Sequence, residues 1–493
     1  MAKKGLFWLL IGLYAVGRFL FPPLEFTGDS YGYACELLKG DLWNSHHILH
    51  KYFINDLWLI LKPLHLFQNP LLFYSTLHLI IALSCIYVLQ RILEYRHWSQ
   101  SRIYLALLFV ISGFAFTKYN IENEVYFYPI LLSLIGSYQF EKNQKYTAAI
   151  WLGLACLFHQ IHIFWLLGLL FPRDWKKPSN YYPLGFGLAI PIVTYTTIGL
   201  ITNETLSSLL FHDVQAGLVQ TIPNLNNTLL FFVNIVRTLF QVHGDILLFW
   251  NLWNPYYSGI AVLIFIFILL GFVIYLRERR FSYQKSDWYF SYSVAFILHL
   301  AFAWYSVGNI EFMVVLPILL VLTLRNGSLL KHSMLLGVGL ILWNTTQWFI
   351  PMAKTRPNRI KDQIEIATRI VEDEFHDNSN SHKIKVFTQN AALVQNTYEY
   401  MKLSKLMASN DTITKHPNIE FIDYHKDSLE SGYLLTFSHG RMNRMKLSFS
   451  TTEGIPKDSM TNLTRLYRDT GINGLLEFYR VELRKEDPTN SDR

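Results

Sequence analysis

An apolar run with a polar centre, TAAIWLGLACLFHQIHIFWLLGLLF, spans residues 147–171. It is long enough to cross a bilayer, which takes about 20 apolar residues. Basic residues flank it on both sides: Lys142, Lys145, Arg173, Lys176 and Lys177. Because Lys and Arg collect on the cytoplasmic side of short loops, both ends are predicted to be cytoplasmic, which one straight helix cannot satisfy. The sequence therefore predicts a hairpin of two short helices that turns at Phe158-His159-Gln160-Ile161, with its polar groups satisfied inside protein.

Nine further apolar segments surround this hairpin, and together they predict an α-helical polytopic membrane protein. About eleven membrane helices are expected. Of the 493 residues 51% are hydrophobic and 16% charged, against roughly 25% charged residues in soluble domains. This composition excludes disordered, collagen-like and disulfide-scaffold proteins. The further segments are residues 5–21, 71–93, 103–117, 125–140, 182–201, 258–276, 288–306, 310–324 and 332–350.

The distribution of charge indicates how these segments cross the membrane. Lys and Arg number sixteen in the predicted cytoplasmic loops and five in the outer loops, whereas eleven of the sixteen acidic residues before residue 351 lie outside. We therefore expect any chemistry to face outward. No stretch is basic enough for a nucleic-acid groove, so nucleic acid is not an expected partner. The first segment follows Lys3 and Lys4 and ends without a small-residue cleavage site, which predicts an uncleaved span.

Residues 351–493 have the composition of a soluble domain, so the predicted division is a membrane domain at 1–350 and an outer domain at 351–493. Apolar residues recur at helical spacing from Ile360 to Val371 and from Val394 to Met401. We expect a small α/β domain that serves as a structural or acceptor-binding accessory. Alternation predicts strands at 383–387, 419–422, 433–437, 446–450 and 476–481.

The first candidate for chemistry is Asp29 in Gly28-Asp29-Ser30-Tyr31, close behind the first span. A carboxylate near the membrane surface can meet a lipid-borne substrate, and partial burial would adjust its pKa for general base work. Capping of the next helix is an equal alternative for Asp29. His46, His47 and His50 follow, and His46 and His50 share a face if they lie on a helix, so metal binding, substrate contact and packing all stay open.

Two further polar pairs stand at the outer ends of predicted spans. Glu122 and Glu124 occupy a very short outer turn, where one carboxylate can face a cavity and the other be solvated. His159 and Gln160 form the predicted hairpin tip. Polar side chains at membrane depth indicate either a functional site or two packing residues bonded to each other.

The remaining candidates lie in the later outer loops. Arg237 is the lone cation of the loop 202–257, and it is suited either to clamp a phosphate through two hydrogen bonds or to snorkel to a lipid headgroup. Asn309 and Glu311 fall in a tight turn between two predicted spans, which assigns them to the outer rim.

This layout resembles the GT-C superfamily of membrane glycosyltransferases, which includes protein O-mannosyltransferases and bacterial lipid A aminoarabinose transferases. The resemblance covers residues 1–350: a first span, a long outer loop that opens with an acid, a short acidic second turn and paired short helices with a polar tip. Neither a second acid beside position 29 nor a Trp-Trp-Asp signature is present, so a divalent metal is compatible with the sequence but not required by it. The most specific pieces are Gly28-Asp29-Ser30-Tyr31, Trp43-Asn44-Ser45-His46-His47-Ile48-Leu49 and Gly308-Asn309-Ile310-Glu311-Phe312.

The resemblance implies a polyprenyl-phosphate-linked sugar as donor and a glycan, lipid or protein as acceptor, handled at the outer face of a bacterial inner membrane. Asp29 would be the general base, with inversion at the anomeric carbon. Charge on the leaving phosphate would be offset by Arg237, His46 or His47. The other expected substrate contacts are Tyr31, Glu122, Glu124, His159, Gln160, Asn309 and Glu311.

Two other classes of membrane protein stay open. An ion-coupled transporter would use His159, Glu311 and Asp29 as a relay, although the sequence has no convincing repeat of the kind transporters show. A non-catalytic protein of envelope assembly would use the polar residues only for packing. Replacing Asp29 by Asn separates the three classes, because it would abolish sugar transfer, ion-coupled flux or neither.

Overall fold

The structure is a computed structural model in which the chain forms two compact units. The first unit comprises Met1–Pro22, Gly40–Ile246 and Pro255–Pro351, and the second comprises Pro23–Lys39, Leu247–Asn254 and Met352–Arg493. The residues described are 2–20, 22–24, 26–40, 47–64, 66–67, 69–171, 176–205, 209, 225–241, 262–271, 273, 287–306, 310–324, 334–354, 360–374, 384–388, 391–409, 419–423, 432–438, 461–471 and 474–483.

Most described residues are helical. Numbered along the chain, the helices are α1 (Ala2–Leu20), α2 (Gly28–Lys39), α3 (Ile48–Leu61), α4 (Pro70–Tyr95), α5 (Gln100–Ser112), α6 (Phe114–Tyr119), α7 (Phe127–Glu141), α8 (Lys145–Phe158), α9 (Ile163–Leu170), α10 (Tyr182–Thr202), α11 (Leu225–Arg237), α12 (Val262–Gly271), α13 (Asp287–Tyr305), α14 (Leu316–Thr323), α15 (Met334–Asn344), α16 (Ile350–Lys354), α17 (Ile360–Glu374) and α18 (Ala391–Ser409). Short 3-10 helices lie at Lys62–Leu64, Gln160–His162, Pro178–Tyr181 and Ile310–Met313, and a π-helix lies at Thr345–Phe349.

Two described helices, Pro70–Tyr95 and Pro178–Thr202, are long and apolar enough to cross a membrane by length and composition. The other apolar helices are shorter, so the number of about eleven membrane helices stays a prediction. The outward face of α10 has the character of a lipid-facing surface, because its large apolar side chains are exposed. These are Phe186, Ile192, Val193, Leu200 and Ile201.

The predicted helical hairpin is present in the first unit. Helix α8 ends at Phe158, and α9 begins at Ile163 after one 3-10 turn. A Cβ atom added to Gly187 of α10 would lie 3.3 Å from Leu170 Cδ1 and 3.4 Å from Ala149 Cβ. A straight helix would hold Ala149 and Leu170 about 30 Å apart. Both arms of the segment therefore reach the same point on α10, and the predicted turn is confirmed.

One predicted apolar segment of the first unit is wrong as a single helix. Residues 103–117 are divided at Gly113, which has extended backbone (φ −63°, ψ 140°), into α5 and α6. The break has a hydrogen-bonding cause, because Phe114 N–H donates to Leu239 O at 2.9 Å and Ala115 N–H donates to Thr238 O at 3.1 Å. The apolar pattern was correct, but it carried no sign of these long-range backbone partners.

The second unit contains a mixed five-stranded sheet, as the predicted α/β domain requires. Its strands are β1 (Ile384–Thr388), β2 (Ile419–Asp423), β3 (Gly432–Ser438), β4 (Thr461–Gly471) and β5 (Gly474–Leu483), in the order β2-β1-β3-β5-β4. Strand β1 pairs in parallel with β2 and β3, and β5 pairs antiparallel with β3 and β4. Strand β4 was not predicted, and the strand predicted at 446–450 lies outside the described residues.

Helices α17 and α18 cover this sheet through apolar side chains, and α2 packs against α18 in the same unit. Helix α2 can approach α18 closely because Gly32 has no side chain: a Cβ atom added there would lie 3.0 Å from Asn396 Nδ2. The core is formed by Ile360, Ile364, Ala367, Val371, Val386, Val394, Tyr398, Phe421, Tyr433, Leu476 and Phe478, among others. Helix α2, which carries Asp29, is thus held by residues more than 350 positions later in the chain.

Candidate functional site

The hairpin tip sets the position of the first two candidate residues. His159 leaves α8 in extended conformation (φ −156°, ψ 121°), and its Nδ1 accepts from Ile161 N–H at 3.3 Å. The side chain therefore caps the 3-10 turn that follows. Gln160 donates through Nε2 to Tyr195 Oη at 3.1 Å and to the Leu209 carbonyl at 3.3 Å. These bonds fix the tip against α10 and the chain beyond it.

His47 lies beside this tip. Its ring centroid is 4.9 Å from that of His159, and its Nδ1 is 3.1 Å from the Phe158 carbonyl oxygen. A carbonyl oxygen only accepts hydrogen bonds, so Nδ1 of His47 carries a proton. Both histidines are half-buried. The structure thus brings together two candidates that are more than 110 residues apart in sequence.

Glu311 is linked to the hairpin tip through Tyr126. The Tyr126 hydroxyl donates to Glu311 Oε2 at 2.9 Å, and the Tyr126 ring lies 5.4 Å from the ring of His159. Phe312 follows Glu311 and packs edge-on against His159 at 6.3 Å. A phenol that packs against His159 therefore holds the carboxylate of Glu311, which lies in the 3-10 turn that precedes α14.

The acidic turn predicted between two spans is buried. Glu122 is 5% exposed and Glu124 4% exposed, and Lys118 Nζ lies 3.6 Å from Glu122 Oε2. Arg18 of α1 binds the chain just before the turn, since its Nε donates to Asn120 Oδ1 and its Nη2 donates to Asn120 O, both at 3.1 Å. Such a doubly bonded guanidinium is a strong constraint, so the turn is held in one position.

Tyr119 joins the acidic turn to the tip. Its ring lies 5.2 Å from the ring of Tyr126, and it is 1% exposed. Burial raises the pKa of the Tyr119 phenol well above its usual value. The charges that act on this pKa are, in decreasing order, those of Glu311, Glu122 and Glu124, which raise it, and Arg237, which lowers it. The charges of four predicted candidates therefore influence the pKa of one buried phenol.

Arg237 ends α11, half-buried. Its Nε donates to Gln241 Oε1 at 2.8 Å, and its Cζ lies 5.4 Å from the centroid of the Phe114 ring. A guanidinium over an aromatic face is stabilised by cation–π attraction. The bond through Nε and the stacking fix the plane of the guanidinium, which is the geometry that bidentate phosphate binding needs.

Two other candidates belong to the second unit. Asp29 lies in the first turn of α2 and is exposed. Tyr31 is fully buried, with its ring 6.0 Å from the ring of Phe26 and 5.7 Å from that of Tyr400. Tyr31 therefore packs in the core of this unit, and its contact with substrate stays a prediction. His46 and Asn309 lie outside the described residues.

His50, the third histidine of the long outer loop, lies in a separate cluster. It is fully buried in α3, 5.1 Å from the ring of Tyr128, which is also 5.1 Å from the ring of His78. Burial, together with the charges of His47, His78 and Lys51, holds the pKa of His50 well below its usual value. In the described part of the chain no three His, Cys, Asp or Glu side chains converge as metal ligands.

Sequence reasoning missed the residues that connect the candidates. Tyr119 and Tyr126 flank the acidic turn but follow no pattern that marks them as functional, because aromatic residues make up 16% of the chain. Arg18 did carry a signal: it is the single ionised side chain inside the first predicted span, and a charge at membrane depth is a functional hypothesis in its own right.

Comparison with known proteins gives a likeness of fold. No protein-family model and no curated protein sequence matches this chain. Two solved structures resemble it: ArnT from Cupriavidus metallidurans bound to undecaprenyl phosphate (11% identity, TM-score 0.47) and the same protein in the apo state (9% identity, TM-score 0.41). Each alignment covers 97% of this chain and 98% of the ArnT chain. A likeness at this identity and TM-score carries no function over to this chain.

Proposed function

We propose that this chain is a membrane glycosyltransferase that moves a sugar from a polyprenyl-phosphate-linked donor to an acceptor hydroxyl. The observation that carries the proposal is the convergence of His47, His159 and Glu311 at a hairpin tip within an apolar helical unit. Polar and ionisable groups are costly in such surroundings. Their arrangement on three separate parts of the chain is explained if they bind a polar substrate.

The site offers the groups that sugar recognition uses. The Glu311 carboxylate accepts hydrogen bonds. Because Nδ1 of His47 donates to the Phe158 carbonyl, a neutral His47 leaves Nε2 to accept from a sugar hydroxyl. Because Nδ1 of His159 accepts from Ile161 N–H, Nε2 of His159 carries the proton and can donate to a sugar hydroxyl. The flat faces of Tyr126 and Phe312 supply apolar contact. The lipid would contact the exposed apolar faces of the helices. The protein lies in the bacterial inner membrane with its C-terminal domain, residues 351–493, outside.

The reaction we propose is a direct displacement. The acceptor oxygen forms a bond to the anomeric carbon while the bond from that carbon to the lipid phosphate breaks, so that the anomeric centre inverts. Asp29 takes the proton of the acceptor hydroxyl, an assignment that rests on the sequence alone. Polyprenyl phosphate leaves with one more negative charge, which Arg237 offsets. Glu122 and Glu124 orient the sugar or the acceptor.

The test is complementation of a deletion strain with Glu311→Gln and Asp29→Asn variants, read by intact mass and glycan profiling of envelope material. We expect both variants to reach normal levels in the membrane and to lose a sugar mass that the wild type adds. Glu94→Gln is the matched control, since Glu94 is also hydrogen-bonded, to Gln90 and Arg91 on α4, and it should retain the sugar. An unchanged envelope in the deletion strain refutes the proposal, and loss of ion-coupled uptake instead would indicate a transporter.

A further inference from the structure

We propose that Asn344 is a positioning residue that holds Arg237 in place for the reaction. This inference rests on the proposed function, because Arg237 acts there on the leaving phosphate. Asn344 ends α15 and is 2% exposed. Its effect on Arg237 passes through Gln241, which lies four residues beyond Arg237.

Asn344 uses three hydrogen bonds to join two distant segments. Its Nδ2 donates to the carbonyl oxygens of Ser112 at 2.7 Å and Leu239 at 2.8 Å, and its Oδ1 accepts from Gln241 N–H at 3.1 Å. One amide thus ties the end of α5 to the segment that follows α11. A buried amide whose donor and acceptor both bond to backbone groups holds those groups close together.

Gln241 transmits this position to Arg237. Its backbone is held twice, by Asn344 as above and by Trp343, whose Nε1 donates to Gln241 O at 2.8 Å. Its side chain then accepts from Arg237 Nε at 2.8 Å. The ring beneath the guanidinium is anchored by the same segment, since Phe114 N–H donates to Leu239 O at 2.9 Å. Both supports of Arg237 therefore depend on residues 239–241.

The backbone beside Asn344 is unusual in a way that fits this role. Asn344 directly precedes the π-helix Thr345–Phe349, and π-helices are rare and occur frequently at functional sites. Within this turn the ring of Trp348 lies edge-on to the ring of Phe114, with centroids 5.5 Å apart. The centroid of the Phe349 ring lies 5.6 Å from Arg18 Cζ. The π-helix thus contacts Arg18 directly and contacts Phe114, the ring on which Arg237 stacks.

The experiment is a double-mutant cycle on sugar transfer by the full-length protein in lipid nanodiscs, with Asn344→Ala, Arg237→Lys and the combined variant. We expect Asn344→Ala to lower kcat about tenfold while KM for the donor changes less than about threefold, because the arginine acts most on charge that develops at the leaving phosphate. Combined with Arg237→Lys, it should lower kcat by no more than about twofold further.

Two variants guard against a purely structural effect. Gln241→Leu leaves the backbone bonds of Asn344 intact and removes only the last link, so it should reproduce the loss in kcat if Asn344→Ala fails to fold. Asn69→Ala removes the N-cap bond to Leu72 N–H at 2.8 Å, and it should lower stability with kcat unchanged. Independent, multiplicative losses in the cycle, or unchanged kcat in both Asn344→Ala and Gln241→Leu, overturn the inference. A wild type that transfers no sugar refutes the proposed function instead.

Discussion

Replacing Tyr126 by Phe isolates the contact that places Glu311. The substitution removes one oxygen and leaves the ring contacts with His159 and Tyr119 in place. The bond that is lost joins the phenol to a carboxylate at 2.9 Å, and hydrogen bonds to charged groups contribute about 1.5–3 kcal/mol. Since every 1.4 kcal/mol is a factor of ten, kcat/KM should fall about 10- to 100-fold if the oriented carboxylate contributes fully in the transition state.

The assay compares Tyr126→Phe with Tyr128→Phe, which lies two residues further on in α7. Tyr128 is also buried, and its hydroxyl has no hydrogen-bond partner among the described residues, so its removal should leave kcat/KM within about twofold. Sugar transfer is measured at matched amounts of folded protein. Wild-type activity in Tyr126→Phe, or equal losses in the two variants, would refute the assignment of Tyr126 as the residue that holds Glu311.

Three further outcomes are expected. Glu141→Gln should lower the free energy of unfolding by about 3–5 kcal/mol, because Arg96 and Glu141 form an ion pair at 2.7 Å with side chains 1% and 0% exposed. Denaturation in detergent measures this loss. A loss below about 1 kcal/mol would contradict the prediction. Burial, the largest single influence, raises the pKa of Glu399, but the hydrogen bonds from Lys39, Gln395 and Cys35 and the charge of Lys39 together outweigh it and hold that pKa below its ordinary 4.5. This stabilisation is therefore present above pH 4.5 and lost as the pH falls through the lower folded value. Melting curves against pH should show a smaller acid-induced loss of stability in Glu399→Gln. Tyr119→Phe should lower sugar transfer, because the charges of Glu311, Glu122 and Arg237 all act on this phenol. It should leave stability unchanged, because the described residues give the buried hydroxyl no partner. Full activity in this variant would exclude a role of the hydroxyl in binding.

The sequence predicted those parts of the fold that composition and charge determine. Lys and Arg on both sides of residues 147–171 indicated the turn at His159, and alternation indicated most strands of the second unit. The helix break at Gly113 was not predictable, because its cause is a backbone partner at Leu239. Local pattern describes each segment's periodicity and flanking charge, but it does not identify the segment that will satisfy its hydrogen bonds.

The sequence predicted individual candidate residues of the site but not the residues that connect them. His159 was found because polar side chains are rare within apolar segments, and Glu311 was found because it falls in a tight turn between two predicted spans. Tyr126 was not, because its functional contact is with a residue 185 positions away. Asn344 was hidden for the same reason: an asparagine near the end of an apolar helix is common, and only its three long-range bonds distinguish it.

Sugar transfer at the hairpin-tip site of the first unit can be measured directly. Purified protein in nanodiscs is supplied with polyprenyl-phosphate-linked sugars extracted from the producing cells and with envelope acceptor, and the release of free polyprenyl phosphate is followed. We expect the wild type to release the lipid, with one sugar gained by the acceptor per lipid freed, and Glu311→Gln to release it at least about tenfold more slowly. Release at the wild-type rate by Glu311→Gln, or none by the wild type, would contradict this expectation.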